Sequence, residues 1–120
     1  MKDVNTIYSN GYGISFKWNK TISKNNLKTQ LVFRNTGMLL NEKELFQFSV
    51  LIQKAINNSL DCNNCSLNKK CKSILLETPS EQINFAVNYK ELQNIADLVN
   101  GTIFNLNLTK MLSSLDITKK

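Results

Sequence analysis

Two stretches of this 120-residue chain repeat one another. At an offset of 47 residues, NEKELFQFSVLIQKAINN (41–58) falls on NYKELQNIADLVNGTIFN (88–105) with seven identities in eighteen positions. Each copy opens on an asparagine with a glutamate three residues later, Asn41 with Glu44 and Asn88 with Glu91. At that spacing the asparagine side chain accepts from an orphan N–H of a helix start, and the glutamate reaches back to the cap backbone. Leu45, Phe48, Ile52 and Ile56 in the first copy, and Leu92, Ile95, Val99 and Ile103 in the second, recur with helical period. Two capped amphipathic helices are predicted, the first over 42–57, each with one apolar stripe that something else must cover.

What covers them is read from period-two alternation. Ile14, Phe16 and Trp18 alternate with polar residues and predict a first strand over 12–19 with those three side chains inward. The Asn25-Asn26 pair marks a turn, after which Leu27, Thr29, Leu31 and Phe33 alternate with Lys28, Gln30, Val32 and Arg34. A turn at 35–37 leads to a short strand at Met38 to Leu40. A further hairpin is predicted from a strand at 72–77, a Thr78-Pro79-Ser80 turn and a strand at 83–87. Met38 and Leu40 fall on Phe85 and Val87 at the offset that relates the helices, so strand parity repeats too. The expected fold is α+β: one antiparallel sheet of four to five strands with two related amphipathic helices on one face, a strand–strand–helix unit used twice. Any capped amphipathic helix shares some of these features, but duplication is the simpler reading. Residues 1–10 and 116–120 are expected to fray, 58–71 to form a loop, and Gly101 either to end the second helix or to lie inside a longer one.

Charge narrows the function classes. The formal net charge is +6, with +5 in residues 1–40, zero in 41–60, +2 in 61–75 and −1 in 76–120. An anion-facing surface would therefore belong to the amino-terminal third, where Lys17, Lys28 and Arg34 are the candidate surface-binding residues. Arg34 is the one arginine among fifteen bases, and arginine is the residue that forks onto phosphate and guanine. Nucleic acid is accordingly disfavoured as a partner. No apolar run is long enough to cross a bilayer, and MKDVNTIYSN lacks the apolar core of a secretory signal, so a cytoplasmic protein without membrane association is expected.

With Asn41-x-x-Glu44-Leu45, Lys72 to Leu76, Thr78-Pro79-Ser80 and Tyr89-Lys90-Glu91-Leu92 in view, the chain resembles a family of short uncharacterised proteins from Bacteroidota-type bacteria, a domain of unknown function. The resemblance spans 10–115 and implies an amino-terminal hairpin, an x-Glu-Leu helix, a lysine-led strand ending in Thr-Pro-Ser and a second x-Glu-Leu helix. Many such relatives carry a CxxC in the first hairpin, where this chain has Phe16-Lys17-Trp18-Asn19. A metal or redox role of that hairpin does not carry over, and the family has no assigned activity.

One chemically unusual stretch remains. Cys62, Cys65 and Cys71 lie within ten residues in the order CxxCx5C. A CxxC turn brings two thiolates onto one tetrahedral ion, and a third cysteine takes zinc most of the way to a site, with the fourth ligand left to a carboxylate, water or second subunit. The further cysteine that an iron–sulfur motif of this spacing would carry is absent. Lys69, Lys70 and Lys72 would favour thiolates for dithiol chemistry, but redox CxxC pairs open helices rather than polar loops. Histidine is absent, which removes the usual general base and Cys–His nucleophilic designs. Two readings stay open. The first is a small non-enzymatic binding or regulatory module that meets a protein partner or a second copy through its hairpin face or sheet edge. The alternative is a zinc protein in which Cys62, Cys65 and Cys71 hold the metal, structurally or between subunits.

Overall fold

The computed structural model describes residues 4–18, 28–60 and 74–119, with side chains described to Asn58 in the first helix and Leu112 in the second. The order is β1 (Val4–Ser9), β2 (Gly13–Trp18), β3 (Thr29–Phe33), β4 (Thr36–Leu40), α1 (Glu42–Leu60), β5 (Ile74–Glu77), β6 (Asn84–Val87) and α2 (Tyr89–Lys119). The class is α+β, but the strands divide between two sheets. β1–β2–β3–β4 form an antiparallel meander, and β5–β6 form a separate two-stranded ribbon. The expectation of one sheet under both helices is thereby corrected. α1 packs chiefly on β5, whereas α2 packs on β1 and β2, so each helix covers different strands. A two-stranded ribbon cannot bury a helix stripe alone, and the interior shared with the four-stranded sheet joins both helices to both sheets. Leu31, Phe33, Leu40, Leu45, Phe48, Ile52, Leu76, Val87, Leu92, Ile95, Leu98 and Val99 make one buried cluster.

Both helix starts are reciprocal capping boxes. Asn41 Oδ1 accepts from Glu44 N at 2.8 Å while Asn41 N donates to Glu44 Oε1 at 2.9 Å. Asn88 and Glu91 repeat the pattern at 2.7 and 3.1 Å. Each box satisfies one orphan N–H of the first turn and the cap's own N–H.

The amino-terminal strand is a second correction. Residues 4–9, expected to fray, pair with β2 through a register shift between Thr6 and Tyr8. Ile7 sits at that irregularity, and its carbonyl accepts from Asn105 Nδ2 of α2 at 2.8 Å. The bulge and the amide from α2 together blunt what would otherwise be an open edge.

The facing of β2 is a third correction. Ser15 is fully buried, while Ile14, Phe16 and Trp18 are half-buried on the other side, where Phe16 and Trp18 meet edge-to-face at 5.3 Å. The reason lies in α2. A Cβ on Gly13 would fall 2.5 Å from the Val32 carbonyl oxygen and 3.0 Å from Leu98 Cδ2, so the start of the inward side of β2 has no room for a large residue. Ser15 Oγ then meets Thr102 Oγ1 at 2.6 Å, and Thr102 Oγ1 donates to Leu98 O at 2.6 Å. Alternation was correctly detected in the sequence, but the side taken by the larger residues was not.

Turn chemistry is local. Arg34 and Asn35 join β3 to β4 with φ of 53° and 65°, the left-handed conformation of a two-residue type I′ hairpin. The β5–β6 loop is held by Thr78 Oγ1, which donates to Ile83 O at 2.7 Å and accepts from Ser80 N at 3.2 Å. α1 continues to Leu60, beyond the expected end at 57, and the backbone of α2 continues through Gly101 to Lys119. Glycine inside a helix costs about 1 kcal/mol against alanine, yet here it makes room for Tyr8. A Cβ at 101 would stand 2.5 to 2.7 Å from three atoms of the Tyr8 ring.

Candidate interaction surface

A polar clamp joins the β1–β2 hairpin to α2. Asn10 Oδ1 accepts from the backbone N–H of Tyr12 and Gly13, both at 2.9 Å, which fixes the tip of the hairpin. Its Nδ2 donates to Asn94 O at 3.1 Å and to Asp97 Oδ2 at 2.9 Å, and the Tyr8 hydroxyl donates to the same carboxylate oxygen at 2.9 Å. Tyr12 OH donates to Glu91 Oε2 at 3.3 Å. Glu91 thus serves the capping box and the hairpin at once.

The electrostatics follow from these contacts. The bond to Asp97 raises the Tyr8 pKa, since ionisation would lose it and set two negative charges side by side. Burial, reinforced by the Glu91 charge and opposed by Arg34, pushes Tyr12 up to about 12. Both phenols are held as donors near neutral pH. The cluster ties elements together, and neither phenol is activated as a nucleophile.

The three basic candidates do not form one surface. Lys17 shares the inward parity of Ser15 and lines a hollow of about 400 Å3 between β1 and α2, with Asn5, Ile7, Asn105, Leu108 and Leu112 among its walls. Lys28 immediately precedes Thr29, which is buried. Arg34, at the β3–β4 turn, donates from its guanidinium to Ala86 O at 3.1 Å, and its Nε lies 3.8 Å from Glu91 Oε2. It bridges the four-stranded sheet to β6 and α2, which is a fold-holding role. Cys62, Cys65 and Cys71 lie outside the described residues. Among the described residues, no group of three His, Cys, Asp or Glu side chains could hold a metal.

What sequence reasoning missed is apolar. Phe104, Leu108, Met111 and Leu112 are exposed on α2, Phe104 by 65% and Met111 by 63%. Phe46, 64% exposed, and Val50 stand one helical turn apart on α1. A second hollow of about 200 Å3, lined by Glu42, Leu45, Phe46, Ile103, Leu106 and Asn107, lies between Phe46 and α2. No family model, curated protein or solved structure matches this chain. The surface is therefore read from its own chemistry.

On α2, Ile103 and Leu106 line the hollow towards α1, and Thr102 and Asn105 bond to the sheet. At 100° per residue, Phe104 and Met111 fall on the remaining, outward side, and Leu108 stands at its border with the β1 hollow that it also lines. Earlier along the same side the residues are polar, including Asn100 and Asp97. The outward face changes character at Phe104. A signal for this existed in the sequence, because Phe104, Leu108, Met111 and Leu115 follow a 4-3-4 spacing, distinct from the stripe ending at Ile103.

Proposed function

We propose that this protein is a non-enzymatic binding module that acts through protein–protein contacts, and that the outward stripe of α2 is the surface it uses. The carrying observation is the apolar stripe of Phe104 and Met111, with Leu108 at its border, exposed on a helix whose other sides are occupied by α1 and the sheet. Scattered exposed apolar residues are ordinary, but several at helical spacing on one face, prolonged towards Phe46 and Val50, are characteristic of interfaces. Tyr8 and Tyr12 and their carboxylate partners are engaged in the hairpin clamp, which supports a scaffold role for those groups.

The duplication belongs to this proposal. In both halves a hairpin leads through an asparagine–glutamate box into a helix, and Leu40, Leu45, Phe48 and Ile52 stand where Val87, Leu92, Ile95 and Val99 stand, all buried. On this reading the second copy gained the stripe beyond its repeat. The resemblance to the bacterial family is compatible with it. Zinc held by Cys62, Cys65 and Cys71 is the competing reading and rests on their spacing; about one equivalent of metal, lost on Cys65→Ser, would favour it.

Affinity purification of the tagged chain beside its Met111→Glu variant tests the interaction. The wild type should retain a protein in stoichiometric amount, its own untagged copy included, that rebinds after both components are purified and is lost with the variant. A wild type that retains nothing above background would refute the reading.

A further inference from the structure

Resting on that reading, we infer that the occupant of the α2 stripe is a second copy of this chain, docked as an antiparallel helix pair. The first argument is pattern. Positions 104, 108, 111 and 115 repeat with the 4-3-4 spacing of a helix–helix seam, in which an apolar residue returns every 3.5 residues on average. Such a seam is matched by another helix of the same kind. In a two-fold arrangement the same patch serves both sides, and antiparallel pairing sets Leu108 of one copy against Met111 of the other. Position 104 then faces position 115 at each end.

Charge supplies the second argument. Between Phe104 and Leu115 the sequence holds one charged residue, Lys110, and its ammonium is turned to α1, where it pairs with Glu42 Oε2 at 2.6 Å. The outward seam presents no charge with which to select an acidic or basic partner. Charge also selects the orientation. Each copy carries a formal +6, and like-charged bodies are kept apart when they lie at opposite ends of the shared helix pair.

Area is the third. Phe104, Leu108 and Met111, at the exposures seen, offer roughly 300 Å2, and Phe46 with Val50 raise this to roughly 500 Å2, within the range of the largest apolar patch on a monomer. A standard interface buries about 800 Å2 per partner, polar rim included, so the patch with its rim suffices for a modest reversible dimer.

Sedimentation equilibrium on the full chain at micromolar concentrations tests the inference. The wild type should approach twice 13.7 kDa. Met111→Glu should weaken self-association by about 100-fold or more, because a lone carboxylate would be buried in an apolar seam. Its far-ultraviolet circular dichroism should match the wild type, since Met111 is exposed. Asn100→Glu, on the polar stretch of the same face, should leave the dimer intact. Small-angle scattering of the wild-type dimer should give a maximum dimension well beyond the monomer's 57 Å. A dimer no longer than the monomer, or one that Met111→Glu leaves unchanged, would overturn the arrangement. If the wild type is monomeric yet retains a different purified protein through Met111, the second copy is refuted and the interaction reading stands. A monomer that retains nothing sinks both.

Discussion

Gly101→Ala should destabilise this protein, although the same exchange inside most helices stabilises. Two effects of opposite sign compete. Alanine gains about 1 kcal/mol over glycine in a helix interior, by propensity alone. Against this, the new Cβ would stand 2.5, 2.6 and 2.7 Å from Cε2, Cζ and Cδ2 of Tyr8, closer than carbon atoms approach without something moving. The obstacle is the flat of an aromatic ring, so no small torsion clears it. Swinging the ring away breaks the Tyr8–Asp97 bond and disturbs the strand whose Ile7 carbonyl is held by Asn105. Overpacking of this kind costs about 1–3 kcal/mol, and the lost hydrogen bond adds about 1 kcal/mol. The net expectation is a loss of about 1–3 kcal/mol once the propensity gain is subtracted. Urea denaturation followed by circular dichroism measures it, as a lower midpoint at unchanged slope. In a Tyr8→Ala background the obstruction is gone, so the same substitution should become stabilising by about 1 kcal/mol, the non-additivity expected of residues in contact. If Gly101→Ala raises the midpoint of the otherwise wild-type chain, the proposed packing of Tyr8 on α2 is wrong.

Further outcomes follow from the caps and the clamp. Asn41→Ala and Asn88→Ala should each cost about 1 kcal/mol in denaturant titration, the second more, because its partner Glu91 also holds Tyr12. Equal stability of wild type and both variants would refute the boxes. Ultraviolet titration should show a tyrosine transition at about 12 that is missing in Tyr12→Phe and moves down in Glu91→Gln. The sign of the linkage is set by that raised value. The folded state keeps a proton that the unfolded chain releases near 10, so this contribution to stability is whole below 10 and is lost as pH rises through about 12. A high-pH transition unchanged by Tyr12→Phe would count against the assignment.

The features most legible in the sequence were those set by neighbours three or four residues apart. Asn41 and Glu44, and Asn88 and Glu91, satisfy each other within one turn, so their capping needs no tertiary information. The same holds for the alternation of β3, whose Thr29, Leu31 and Phe33 are all buried as their spacing implied. Lys17 and Arg34 were legible only as charges. Lys17 came to line the hollow beside α2 and Arg34 to bridge to Ala86, because pairing and packing at long separation placed them there.

By its own pattern the chain determined an α+β composition, two capped helices and where most turns fall, since backbone hydrogen bonding and side-chain period are properties of short segments. Only the tertiary structure decided that the strands split into two sheets, that Ser15 rather than Phe16 faces inward, and that α2 runs on past Gly101 with an apolar face turned to solvent. Each of those outcomes depends on the space left between elements distant in sequence. At Gly13 and Gly101 that space has no room for a methyl group, and period alone carries no measure of it.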